Sequence, residues 1–213
     1  MSIQVHNIQG EDRNVIVEPE IRARFRHVAP GEVAPRHTHD LGHETFLVLQ
    51  GRIGIEIDGE SVTLGPGDLV FARRDQHHQV RNVGDTPAIM FLTVTPHVEP
   101  THTYWNEDGT KRSPLYGGAL RGRPEASAVA SASSTEQLGD DLLRESQMAS
   151  AAFATLVERQ SFELGRIRDA LGLGDSVAAK ASVDAIWETM RSALLQVGQL
   201  EWVWNTFSPR FSA

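Results

Sequence analysis

Residues 31–51 read GEVAPRHTHDLGHETFLVLQG, and the spacing inside this stretch decides the fold. His37 and His39 stand one residue apart, and Glu44 follows after four more. In an extended strand alternate side chains share a face, about 7 Å apart at a rise of roughly 3.3 Å per residue. Two imidazoles on one strand can therefore converge on a single point. Asp40-Leu41-Gly42-His43 reads as a short turn, after which Glu44 can return to that point from the next pass of the chain. Two neutral imidazoles and a carboxylate suit a divalent transition metal with coordination positions left open.

Gly31, five residues, His37-x-His39, four residues, Glu44, six residues and Gly51 together resemble the first motif of the cupin family. The second motif of that family carries one more histidine and an asparagine. Residues 67–82, GDLVFARRDQHHQVRN, are similar to it, with Gly67, His78 and Asn82 at the expected intervals. Arg73 stands where proline is usual and Asp75 where glycine is usual. Both belong to a turn between strands, so the departure bears on loop shape more than on the ligand. The resemblance covers roughly residues 20–98. It implies a double-stranded β-helix and a metal held by His37, His39, Glu44 and His78. His77 competes with His78, but adjacent strand residues face opposite ways, and the motif spacing selects His78. Three histidines and a glutamate inside a barrel without an ion would be buried polar groups in need of partners.

The strands can be read without the resemblance. IRARFRHV at 21–28 alternates, with Ile21, Ala23, Phe25 and His27 on one face and Arg22, Arg24 and Arg26 on the other; such a period of two marks a strand. Residues 45–49 and 52–57 flank Gly51, and Asp58-Gly59 is a hairpin signal because a tight turn needs residues that tolerate positive φ. Residues 61–64, 69–72, 78–82 and 88–95 continue the series between Gly-Pro-Gly and Gly-Asp-Thr-Pro punctuation. Short apolar runs at Ile3/Val5 and Val15–Val17 are candidate edge strands. Many short, evenly spaced strands mean an antiparallel barrel or jelly roll.

Residues 96–124 lack periodicity and are expected to form a lid or strap. Residues 125–135 are small and polar, as in a linker, and Ser133 with Glu136 reads as a capping box. Leu138, Leu142, Ala149, Phe153, Leu156, Leu164, Ile167 and Leu171 then recur at helical spacing, with a break expected near Gly165. Gly172 and Gly174 end that helix, Asp175 or Ser176 caps a second, and Pro209 stops it. The expected architecture is mainly β: a jelly-roll barrel over residues 1–124, then a linker and C-terminal α-helical hairpin over 125–213. The hairpin's apolar surface is too wide for a lone pair of helices. It is therefore expected to pack on the barrel or on another subunit, and a homodimer or higher oligomer, through the helices or the barrel, is expected.

Composition narrows the function classes. With 40% hydrophobic and 23% charged residues the chain is an ordinary globular protein. A net charge of −8 and a pI of 5.6 argue against nucleic acid or an anionic membrane as partner. The absence of cysteine excludes disulfides, thiolate ligands and a cysteine nucleophile together. No apolar run reaches the roughly 20 residues of a membrane span, and MSIQVHNIQGED lacks a signal-peptide pattern. A cytoplasmic location follows as an expectation.

Within the barrel, Phe46 and Val48 share the parity of Glu44 and are expected to line the cavity. Tyr104, Trp105 and Tyr116 are candidates to wall or cover it. The arginine face of 21–28 has two readings. It is either an exposed outer face of the sheet or an ion-paired oligomer surface, or at least Arg24 or Arg26 points inward, where a guanidinium can hold a substrate carboxylate bidentately. His43 reads as a rim or solvated residue, and His6, His27, His97 and His102 have no ligand spacing. Cupins host many reactions, so the fold does not choose among them. The resemblance favours a metal-dependent, dioxygenase-type oxidoreductase on a small organic molecule. Fe(II) is then the first choice of ion, before Mn, Ni, Cu or Zn, and Glu44, by similarity to quercetinase-like cupins, is both ligand and proton acceptor. The alternatives are a small-molecule-binding or sensing module and a non-redox lyase or isomerase.

Overall fold

Strands form where the sequence alternates, and the turn residues between them set the topology. A computed structural model describes residues 3, 5–8, 14–118 and 133–211. The strands are β1 (Asn14–Glu18), β2 (Ile21–Val28), β3 (His43–Gln50), β4 (Ile53–Ile57), β5 (Glu60–Leu64), β6 (Leu69–Ala72), β7 (His78–Asn82) and β8 (Ala88–Thr95). They make a five-stranded sheet in the order β1-β2-β8-β3-β6 and a three-stranded sheet in the order β5-β4-β7. Every pairing is antiparallel. Sequence neighbours β2 and β3 are separated by β8, which is the interleaving of a jelly roll. The edge strand read at Val15–Val17 is β1, whereas Ile3 and Val5 are exposed and outside any strand.

The core lies between the sheets. Val28, Phe46, Val48, Ile53, Ile55, Ala72, Ala88 and Met90 are all buried there. Each comes from the inward parity of its strand, as a half-buried sheet requires.

Two backbone positions hold the motif loops. Gly51 joins β3 to β4 at φ 79°, and a Cβ there would lie 2.7 Å from the Cα of Ala88. Asp75, where glycine is usual, sits at φ 63°. Its amide donates to the carbonyl of His39 at 2.8 Å, and aspartate tolerates this region better than most side chains. The departure from the motif therefore leaves the loop intact. Asn82 closes the same region from inside. Its amide donates to the carbonyls of Val28 (2.9 Å) and Thr86 (2.8 Å), and its oxygen accepts from the amide of Gly84.

Residues 96–118 form a strap tied to the segment that carries His37 and His39. Thr38 bridges to Thr103, and Trp105 to Lys111. Asp40 accepts from Thr103 Oγ1 at 2.7 Å and from Lys111 Nζ at 3.0 Å, and Trp105 Nε1 donates to Thr38 Oγ1 at 3.1 Å. Residues 119–124 of the expected strap and 125–132 of the expected linker lie outside the described residues.

The chain divides into two units, Met1–Ala132 with Ser208–Ala213, and Ser133–Phe207. The second unit is a pair of helices, α1 (Thr135–Gly172) and α2 (Ser176–Phe207). The N-cap of α1 is Ser134, whose hydroxyl accepts from the Gln137 amide while Gln137 reaches back to the Ser134 amide. This corrects the box expected at Ser133 and Glu136 by one residue, glutamine serving as well as glutamate. The break expected at Gly165 is absent, since α1 runs 38 residues without interruption. A single glycine costs only about 1 kcal/mol in a helix, too little to break one packed along its length. Asp175 accepts from the amide of Ala178 and caps α2.

The seam between the helices also differs from the expected stripe. Ala149, Leu156, Glu163 and Ala170 are buried on α1, and Ala179, Ser182 and Ala193 on α2. A seven-residue spacing and small side chains make a close helix pair. Phe153, Leu164 and Leu171 of the expected stripe are instead exposed.

Candidate metal centre

The segment before β3 reaches the second sheet through isolated bridges from Val33 to Arg81 and from His37 to His78. The amides of His37 and His78 exchange hydrogen bonds with each other's carbonyls, at 3.1 and 2.9 Å. This places the first motif's histidines beside the second motif's. Glu44 enters from β3, whose register sets it between Val94 and Ala72 on the inner face.

His37, His39, Glu44 and His78 bring one ligand atom each within 4.8 Å of one another. The Glu44 Oε2 lies 2.9 Å from His39 Nε2, 3.0 Å from His78 Nε2 and 3.9 Å from His37 Nε2. His39, Glu44 and His78 are buried. Each imidazole is held from behind by its Nδ1, on the carbonyl of Pro35 (His37, 2.9 Å), of Thr101 (His39) or of Gln76 (His78, 2.9 Å). With Nδ1–H donating to a carbonyl, Nε2 carries a bare lone pair. The Nε2 atoms of His37 and His78 then face each other at 3.1 Å. Lone pairs aimed together beside a carboxylate repel, and a shared cation removes the repulsion. The donor set therefore fits a divalent metal ion.

Electrostatics agrees with that geometry. Burial works to raise the pKa of Glu44. The facing imidazoles, His39 first, outweigh it and hold the carboxyl well below the ordinary value, as a carboxylate ligand requires. Burial lowers the pKa of His37 and keeps it neutral, although the Glu44 carboxylate opposes this.

A cavity of about 240 Å³ opens over the cluster. Its wall includes Arg22, Arg24 and Arg26, so the arginine face of β2 turns inward. The opposite face carries Phe25, whose ring meets Phe91 of β8 at 5.4 Å. The outer-face reading is thus corrected: both faces of β2 are half-buried, and its parity is fixed by partners distant in sequence. Phe46 and Tyr104 line the cavity too. Val48 has the same parity but is fully buried in the core beneath and does not reach the cavity surface. Trp105 packs on His77 instead, ring centroids 5.0 Å apart, and Tyr116 is not part of the lining. His43 lies on the outer side, stacked on Phe71 and accepting from the Arg74 amide.

Two cavity residues escape a reading of spacing. His102, on the strap, stands 4.7 Å from the His37 ring and 5.0 Å from that of His39, and stacks on Tyr104. Burial holds it well below the ordinary histidine pKa, with Arg22 adding to the shift. No periodic signal in residues 96–118 marks it. Arg22 looks like its neighbours Arg24 and Arg26 in the sequence, yet it alone of the three is fully buried.

Comparison with known proteins reaches the same part of the chain. Residues 24–95 match the Cupin domain family. The polyketide synthase protein CurC of Streptomyces cyaneus is 33% identical over 110 residues, which is 48% of this chain and 70% of CurC. The tetracenomycin polyketide synthase protein TcmJ of Streptomyces glaucescens is 29% identical over 69 residues, 32% of this chain and 46% of TcmJ. A gentisate 1,2-dioxygenase of Streptomyces sp. is 32% identical over 69 residues, which is 32% of this chain and 19% of that enzyme. The match therefore spans under half of TcmJ and about a fifth of the dioxygenase.

Proposed function

Because this chain belongs to the cupin family, we propose that it is a metal-dependent enzyme, a dioxygenase-type oxidoreductase acting on a small organic molecule. The observation that carries this reading is the convergence of three imidazole nitrogens and one carboxylate oxygen on a single point beside a cavity. His37, His39, Glu44 and His78 would hold the ion, with Fe(II) first and Mn, Ni, Cu or Zn as the other candidates. The ion, when bound, supplies Lewis acidity toward a substrate oxygen and, if redox-active, chemistry with O₂. The chain's own residues do the rest. Arg24, Arg26 and Tyr104 bind the polar part of the substrate, and Phe46 packs on its apolar part. Val48 supports Phe46 from the core, and Glu44 accepts a proton from the substrate.

The similarity to a gentisate 1,2-dioxygenase supports the oxidative reading. The longer match to CurC, a polyketide synthase protein, supports a polyketide-type compound as substrate, and a non-redox lyase or isomerase acting on such a compound is the second reading. Oxygen uptake separates them. Metal-loaded protein incubated with aromatic, flavonol and diketone substrates consumes O₂ under the first reading. A stoichiometric metal with substrate turnover and no O₂ uptake sinks it in favour of the second.

The helical unit supports a homodimer. Phe153, Phe162, Trp187 and Trp202 are exposed at 42%, 61%, 50% and 45%, and large aromatics dominate buried contact area in assemblies.

A further inference from the structure

The cavity has a charge imbalance and a division of its wall that together name a substrate class. Antiparallel register puts the inner-face residues of the five-stranded sheet in rows. Arg22 pairs with Val94, which pairs with Glu44. Arg24 pairs with Leu92, which pairs with Phe46, and Arg26 pairs with Met90. Strands lie about 5 Å apart, so the Arg22 and Glu44 backbones are roughly 10 Å apart, within reach of one extended arginine. Arg22 therefore stands in the same row as a metal ligand.

Among the lining residues three are arginines and one, Glu44, is a carboxylate. Arg26 is already joined to Glu32. Glu44 faces the three histidines, and an ion there would take its charge. Arg22 is 5% exposed, and its Nε has no hydrogen-bond partner. Arg22 also feels Glu99, but Glu99 belongs to a neighbouring pocket and not to this lining. A buried cationic donor left without an acceptor is costly. The remaining wall is apolar: Val28, Ala34, Val80, Met90 and Leu92.

We propose that the cavity takes a small carboxylic acid with an apolar body, and that Arg22 is the residue that grips its carboxylate. The proposal rests on the reading that this cavity is the substrate site of a metal enzyme, and it adds the class of substrate. The acid group enters beside the ligand cluster, where the buried guanidinium offers its planar fork to two oxygens at once. The body lies against Met90, Leu92, Phe46 and Val80. A neutral amide of the same shape offers one acceptor oxygen and turns its NH2 donor toward the guanidinium, so it binds more weakly than the acid. Lysine cannot substitute fully, because it presents a point charge and no fork.

Calorimetric titration of the protein reconstituted with Zn(II), a redox-silent ion, tests this with three acid and amide pairs: benzoate and benzamide, 1-naphthoate and 1-naphthamide, hexanoate and hexanamide. At least one acid should bind about tenfold or more tightly than its amide, the range of a charge-assisted hydrogen bond. Arg22→Gln should remove that preference, and Arg22→Lys should recover part of it. Zinc content, measured on every sample, should be the same in all three proteins. If no acid outbinds its amide in the wild-type protein, the inference is overturned without recourse to any variant. It is equally overturned if Arg22→Gln folds, judged by circular dichroism, and keeps the preference, or if inorganic phosphate binds more tightly than all three acids. Failure of the wild-type protein to hold zinc contradicts the enzyme reading itself, and is thereby distinguished from failure of the acid preference.

Discussion

His97 shows how a buried titratable group ties stability to pH. It is 1% exposed, and burial, with Arg22 and His39 adding to it, lowers its pKa from 6.5 to about 3. The folded chain therefore refuses a proton that the unfolded chain accepts. Stability is full above pH 6.5 and falls as pH drops from there toward 3, by an amount on the order of a few kcal/mol. Denaturant melts of His97→Gln should show a shallower loss over that window than the wild-type protein. An identical acid slope contradicts the assignment. The four-residue cluster was legible at this scale because His-x-His and the later Glu44 and His78 fall at fixed intervals in two motifs. Arg22 and His102 were not. The direction of Arg22 depends on strand pairing with β8, about 70 residues away in the chain, and His102 sits in a segment without period. Only the fold brings either to the cavity.

At the scale of elements, turns carry the design. Gly51 links β3 to β4 with positive φ and no room for a side chain, since a Cβ would lie 2.7 Å from backbone. Gly51→Ala should destabilise the protein by about 2 kcal/mol or more, through left-handed strain and overpacking together, read as a lower denaturation midpoint. A change within experimental error would refute the close packing of β3 and β8 at this corner. The strap is tied by Asp40 to Thr103 and Lys111, and its Thr101 carbonyl holds the His39 ring. Asp40→Ala should leave the strands folded and speed amide exchange across residues 101–111, while unchanged protection would mean that the strap is held by other contacts. Strand positions were readable because turn residues and alternation are local signals. Helix capping was misplaced by one residue and the Gly165 break did not form. Caps depend on local geometry that Ser133 and Ser134 offer alike, and helix continuity here depends on packing against α2.

For the whole molecule, two units with different physics share one chain. The barrel has a hydrophobic core between its own sheets. The helical unit joins α1 to α2 through small side chains and leaves aromatics such as Phe162 and Trp187 exposed. Light scattering after gel filtration should give the mass of a homodimer of the 23.5 kDa chain. Phe162→Ser combined with Trp187→Ser should shift it toward monomer. A monomeric wild-type mass at micromolar concentration removes the dimer. The expected stripe of large apolar residues was visible in the sequence, but periodicity says only that a face is apolar and not which partner covers it.

His37, His39, Glu44 and His78 are proposed to hold one divalent ion, and metal stoichiometry decides whether they do. Purified protein, offered Fe(II), Mn(II), Ni(II), Cu(II) and Zn(II) in turn, dialysed and analysed by mass spectrometry of its elements, should retain close to one ion per chain with at least one of them. Glu44→Gln and His78→Ala, still folded by circular dichroism, should retain close to none. Wild-type protein that keeps no ion under any of these conditions, or variants that keep it as well as the wild type, would contradict the account.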